Sequence, residues 1–227
     1  MVAIILGSGL SSLIDFVEID RSIAYDTFVD FDIFPIAGHD RILCEARLCG
    51  EDIIILSGKL HLYEGYSYEK SIAPLMYVAN NYQISQWIIT SASGGLTPKV
   101  RVGQWQKISS IVTLEQISGL SSSLTIIPTS HENEIVYAYQ KGPALGTVAE
   151  YNMLAKCGAD VVGMSMLPES IYLSSISANV MLYTLPVCSY DPIHYGISEP
   201  SHDEVVAIAK EAVSDLVAIL ESIITST

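Results

Sequence analysis

The sequence predicts a single-domain α/β fold with a largely parallel or mixed sheet, on three observations. Short β-type runs alternate with helical stretches along the chain. The 227 residues suit one domain with a sizeable core better than two. Half of the residues are hydrophobic, only 16% are charged, and the mean hydropathy is +0.39. That excess requires either a sheet buried on both faces or a subunit interface that hides apolar surface.

Taken in chain order, the strand-like runs are 2–6, 42–48, 52–57, 87–91, 107–114, 134–139, 160–164 and 179–187. The opening run follows no basic segment and meets glycine at once, so it reads as a strand rather than a signal peptide. Thr147 and Glu150 form a capping box that opens a helix running toward Cys157 and stopping at Gly158. The clearest helix is the last. Val205, Val206, Ile208, Ala209, Ala212, Val213, Leu216, Val217, Leu220 and Ile224 recur at the spacing of one helix face behind a Ser201–Glu204 capping box. The serines at 121–123 read as a polar turn, and no run is long enough for a membrane span.

The formal charge of −14 argues against a nucleic-acid partner, which needs a basic stripe. A small anion would instead require a local site of backbone N–H groups and one or two cations. Cys44, Cys49, Cys157 and Cys188 lack CxxC spacing, which fits reduced thiols in a cytoplasmic protein.

Three glycine-bearing strand ends stand out: Gly7-Ser8-Gly9, Ser91-Ala92-Ser93-Gly94-Gly95 and Gly163-Met164-Ser165. Ligands of open α/β sheets sit beyond the carboxyl ends of strands, where loop amides point outward. The hydroxyls of Ser8, Ser93 and Ser165 suit phosphate oxygens. The first turn is neither a GxGxxG nor a Walker loop, so neither a dinucleotide nor an ATP site is indicated. The segment Gly58-Lys59-Leu60-His61-Leu62-Tyr63-Glu64-Gly65-Tyr66 then gathers a cation, an imidazole, a phenol and a carboxylate directly after an apolar strand.

This segment is similar to the GRxHxYEGY signature of the purine nucleoside phosphorylases. Further pieces follow in that family's order: Ile5 to Leu10, Gly38-His39, Thr90 to Leu96, Gly142-Pro143, Thr147 to Glu150, Gly158 to Ser165 with Pro168-Glu169, and Ser201 to Val205. The chain therefore resembles a divergent, shortened member of the trimeric type. The resemblance implies a nucleoside phosphorylase-like fold and reversible phosphorolysis of a nucleoside in purine salvage. It also implies a homotrimer, with phosphate as co-substrate and no metal or organic cofactor. Ser8, His39, Lys59, His61, the Ala92 amide and Ser165 would surround phosphate. Lys59 stands where the family has arginine, and so gives up a bidentate fork. Tyr63, Tyr137, Met164 and His202 would line the ribose, although Met164 also suits plain core and His202 a helix start. Glu64 would orient the catalytic histidine, His61, or the sugar side.

The resemblance fails at the base. In the run Gly142-Pro143-Ala144-Leu145-Gly146, glycine replaces the family's purine-binding glutamate. Cys188 replaces its asparagine, and Ser91 another asparagine beside the phosphate loop. Gly94, Gly146, Cys188 and Asp191 are the candidates for this side, Asp191 being either a substitute base contact or a loop cap. The segment between Leu114 and Glu134 is much shorter than the family's lid-bearing insertion. These losses predict poor turnover of inosine and guanosine, relieved by Gly146→Glu. They also keep open a paralogue that binds nucleoside or phosphate without turnover. Hydrolysis by water is the weakest alternative, given the retained serines and Lys59.

Overall fold

A computed structural model describes residues 1–36, 39–115, 135–191, 196–197 and 202–226, with the side chains of 191, 196–197, 202–203 and 205–206 excepted. Gly38, the 121–123 turn, most of the Leu114–Glu134 connection and Ser201 lie outside that range. The architecture is a mixed α/β fold, a sheet flanked by helices.

Strand β1 (Val2–Leu6) lies between β4 (Glu51–Ser57) and the first half of β5 (Gln86–Gly95), parallel to both. Antiparallel β3 (Ile42–Leu48) and β2 (Glu18–Ala24) extend the sheet to one edge. On the other side the sheet closes on itself. Strand β5 pairs in parallel with β9 (Val180–Asp191), and β9 pairs with β6 (Gln106–Thr113). From β6 the ladder passes to β7 (Ile135–Tyr139), then β8 (Val161–Gly163), and returns to Gly94 and Gly95 of β5. The short β10 (Gly196–Ile197) pairs antiparallel with the end of β9.

Both faces of the β1–β4–β5 sheet are covered, which accounts for the unbroken apolar runs. Ala3, Ile5, Ile54, Leu56 and Ile89 pack toward α1 (Tyr68–Asn81) and α3 (Leu167–Ser175). Ile4, Leu6, Ile53, Ile55 and Ile88 pack toward α5 (Val213–Ile224). The capping box of α2 (Val148–Lys156) forms as expected, with Thr147 and Glu150 each capping the other's backbone.

Several expectations are corrected. Strand β2 carries charge on a solvent-exposed edge and shows no alternation that would reveal it. Residues 91–95 continue β5 instead of forming a loop, and β9 runs on to Asp191. The single terminal helix bends at Ala212 into α4 (His202–Glu211) and α5. There the Trp105 indole donates to the Ala212 carbonyl at 2.9 Å, sharing an acceptor the helix already uses.

Buried Asp160 ties β7 to the segment that follows β5. Its carboxylate accepts hydrogen bonds from Val136 N at 3.0 Å, Thr97 Oγ1 at 3.1 Å and Lys99 Nζ at 3.1 Å. Asp160→Ala strands these donors, and thermal denaturation is expected to show a loss of about 1–3 kcal/mol per buried donor left unpaired. Asp160→Asn, which keeps an acceptor oxygen, is expected to lose less.

Candidate active site

A cavity of about 250 Å³ opens among the residues that follow β1, β4 and β8 and the last residues of β5 and β9. Ser8, His61, Ala92, Ser93 and Ser165 meet on its wall. So do Tyr63, Gly94, Met164 and Cys188. Residues distant in sequence are thus brought together at the strand ends. A bulge at Val187, where Ser93 pairs with Pro186 but Gly94 with Cys188, brings Val187 and Cys188 both onto the wall.

The polar end is built around two imidazoles. Lys59 N donates to His39 Nδ1 at 3.1 Å, so in the neutral ring the proton sits on Nε2, which donates to Ser8 Oγ at 3.1 Å. The Ser8 proton is thereby left to point outward. Burial, followed by the charges of His61, Arg41 and Lys59, holds the His39 imidazole down to about 3. His61 stacks on Tyr63 with ring centroids 4.7 Å apart, and meets the His39 ring edge-on at 5.0 Å. Glu64 Oε1 accepts from His61 N at 2.8 Å and Nδ1 at 3.0 Å, while Oε2 accepts from Arg41 Nη2 at 2.6 Å. Burial disfavours the charged Glu64 carboxylate, but the His61 hydrogen bonds and the Arg41 charge together hold its carboxyl below the usual range.

Besides His39, which bonds to Ser8 but is not itself on the wall, three expected contacts are absent from it. Lys59 is buried and turns the other way, with Nζ 3.6 Å from Glu169 Oε1, beside a separate void of about 10 Å³. Desolvation lowers its pKa against the opposing pull of Glu169. Lysine's mobile point charge finds a buried carboxylate within reach and pairs with it instead of facing the cavity. Tyr137 lies behind the wall, fully buried, its hydroxyl accepting from Ser165 N at 3.4 Å. It reaches that point because Gly163 has no Cβ, which would stand 2.0 Å from the phenol oxygen.

Gly146 is the third. Its N–H donates to the Tyr151 hydroxyl at 3.0 Å, and a Cβ there would lie 2.4 Å from the Tyr151 ring. Tyr151, from the first turn of α2, lines the cavity where a longer residue 146 would reach. This overturns the expectation for Gly146→Glu, because the carboxylate has no room unless Tyr151 moves. Among the described residues the wall at this end carries no carboxylate, only Cys188, Ser189, Gln140 and the two tyrosines 151 and 190 within apolar surroundings. Burial raises the Cys188 pKa, which keeps the thiol neutral.

Asp191 ends β9 and His202 begins α4, with both side chains outside the described set. Among the described residues no group of three or more His, Cys, Asp or Glu is arranged to hold a metal, and no helix is long and apolar enough to cross a membrane. Sequence reasoning missed Arg41 and Tyr151, and it met Glu169 only inside a motif. None of the three carries a local signal of its role, because each role is defined by a partner that the fold supplies.

The buried, neutral His39 has a pH signature. The unfolded imidazole takes a proton below about pH 6.5, whereas the folded one resists until about 3, so stability is full above that window and falls as pH drops through it. Between about pH 7.5 and 5 the wild-type melting temperature is expected to fall further than that of His39→Gln. Parallel falls would show that His39 is not the linked group.

No protein-family model matches the sequence. The chain is 27% identical to "Purine nucleoside phosphorylase 1" of Geobacillus stearothermophilus, an alignment that covers 98% of this chain and 90% of that one. The crystal structure of isoform 2 of purine nucleoside phosphorylase from Schistosoma mansoni, in complex with cytosine and ribose-1-phosphate, superposes with a TM-score of 0.83 at 26% identity, covering 99% and 89% of the two chains. The purine nucleoside phosphorylase of Mycobacterium leprae is 32% identical over 197 residues, 79% of this chain and 73% of that protein. With this identity over most of both chains, and the same fold, the chain belongs to the purine nucleoside phosphorylase family.

Proposed function

We propose that the protein catalyses reversible phosphorolysis of a nucleoside, yielding free base and ribose 1-phosphate. The observation that carries this reading is the meeting of Ser8, His61 and Ser165, from three separate strand ends, on one cavity. In the reaction a phosphate oxygen bonds to the anomeric carbon while the carbon–nitrogen bond to the base breaks. The bond pair leaves with the base, which then takes up a proton. The protein's task is to position phosphate and sugar and to stabilise the separating charges.

In this reading the hydroxyls of Ser8 and Ser165, the Ala92 amide and His61 hold phosphate. His39 orients the Ser8 hydroxyl, and Glu64 orients His61. Tyr63 and Met164 wall the ribose and Gly94 and Cys188 the base, and the family resemblance assigns His202, at the start of α4, to the ribose and makes Asp191, at the end of β9, a candidate for the base. Phosphate is the co-substrate, the chemistry calls for no further cofactor, and we assign the protein to the cytoplasm.

A 6-oxopurine needs an acceptor for its ring N–H, and leaving that N–H unpaired costs about 1–3 kcal/mol, or roughly one to two decades in rate. A panel of nucleosides incubated with phosphate or arsenate, and assayed for released base, is therefore expected to show slow turnover of inosine and guanosine. A nucleoside without that requirement is expected to react faster. No base released from any nucleoside would overturn the proposal.

For assembly we propose a homotrimer, following the family's trimeric type. The doubly covered sheet already accounts for much of the apolar excess, but Phe34, Met76, Leu114 and Met153 remain exposed in the single chain. Light scattering at micromolar concentration is expected to give three times the chain mass. A stable monomer would contradict it.

A further inference from the structure

We propose that Arg41 is a positioning residue for phosphate, holding His61 in place through Glu64, and that it serves the anion end for which the family signature uses the residue at 59. The inference rests on the reading that the Ser8–His61–Ser165 end of the cavity takes phosphate.

Arg41 sits at φ 58°, in the left-handed region that non-glycine residues avoid, and is only 6% exposed. Such a backbone costs energy and persists where something else holds it. Its bond to Glu64 at 2.6 Å is the polar contact of its guanidinium, for Nε and Nη1 have no hydrogen-bond partner among the described residues. A buried guanidinium with two unpaired nitrogens is a poor device for stabilising its own loop. It is a good device for keeping one carboxylate charged and still. An ionised Glu64 accepts from His61 N and Nδ1 together, which sets the ring plane and leaves Nε2 as the remaining polar atom of the ring. Without Arg41 the largely buried carboxylate would lose its countercharge and favour its neutral form, and an acceptor for Nδ1–H would weaken.

Lys59 cannot take this part in the present arrangement. Its Nζ is engaged with Glu169 on the far side of the loop, and Lys59 is not among the residues of the cavity wall. The cation nearest the site in function is therefore one that touches Glu64, not phosphate.

The test is calorimetric titration of the intact protein with inorganic phosphate, alongside phosphorolysis of the best nucleoside from the panel. Arg41→Gly suits it because glycine accepts φ 58° and the side chain is lost without new backbone strain. Phosphate affinity is expected to fall roughly tenfold or more, as for loss of a hydrogen bond to a charged group. Nucleoside KM is expected to stay within about twofold, and Arg41→Lys, which keeps the charge, to recover part of the loss. Glu64→Gln gives a second reading: it should weaken phosphate to a similar degree, and adding Arg41→Lys should then change little, since the two residues act as one unit. Unchanged phosphate affinity in Arg41→Gly, or fully additive losses in the pair, overturns the inference while phosphorolysis stands. Parallel losses for phosphate and nucleoside overturn it too, as a general structural defect. Wild-type protein that binds no phosphate removes the phosphorylase reading and the inference with it.

Discussion

Strand β5 has to serve two sheets, and the site exists because of how it does so. Over Gln86–Ile89 it is an interior strand, hydrogen-bonded to β1 on one side and β9 on the other. Beyond Ile89 it loses β1, keeps β9, and at Gly94 and Gly95 meets β8 in the antiparallel sense. A strand can change neighbours this way only if it bends, and residues 91–95 are small enough to let it. The bulge at Val187 gives β9 the extra residue it needs to follow. Where β5 departs from β1, the space between them is the cavity, with Ser8 on one bank and residues 92–95 on the other. The site is the consequence of a sheet that closes into a ring.

An acidic chain that is to hold phosphate, as proposed, must bind it without a large field. At −14 the protein's overall potential opposes anion approach. Its buried charges near the site are grouped as Arg41 with Glu64 and Lys59 with Glu169, each pair close to neutral. What remains to face the cavity is hydroxyl, imidazole and backbone amide. These bind by direction more than by charge, so their orientation carries the specificity. His39 illustrates this: burial keeps it neutral, and neutrality is what makes it an acceptor for Lys59 N and a donor to Ser8. A protonated His39 would lose the acceptor and with it the ordered chain of bonds.

The cavity end next to residue 146 is packed, not empty. Tyr151 fills the room that a side chain at 146 would use, and its hydroxyl accepts the Gly146 N–H that would otherwise be buried unpaired. Its ring meets Tyr190 edge-on at 5.7 Å, in a cluster with Leu96, Leu154 and Val162. The glycine and the tyrosine form one packing unit, so the wall at this end is aromatic.

The sequence alone determined the strands of the doubly covered sheet, because burial on both faces demands uninterrupted apolar runs that are readable locally. It also determined the start of α2, since a capping box closes within four residues. It placed Ser8, His61 and Ser165 just beyond strand ends, where backbone geometry concentrates ligands. Only the tertiary structure decided the rest. Strand β2 has no periodic signal, because an exposed edge has no face to bury. The hydrogen bond of Trp105 to the Ala212 carbonyl, where α4 gives way to α5, joins residues far apart in the chain. The direction of Lys59 and the bond of Arg41 to Glu64 follow from which carboxylate the fold brings within reach. Helical period, capping and turn preference act over a few residues, so they are written in the local sequence. The choice of a partner for a buried charge is made between segments that meet only after the chain has folded, and the local sequence holds no record of it.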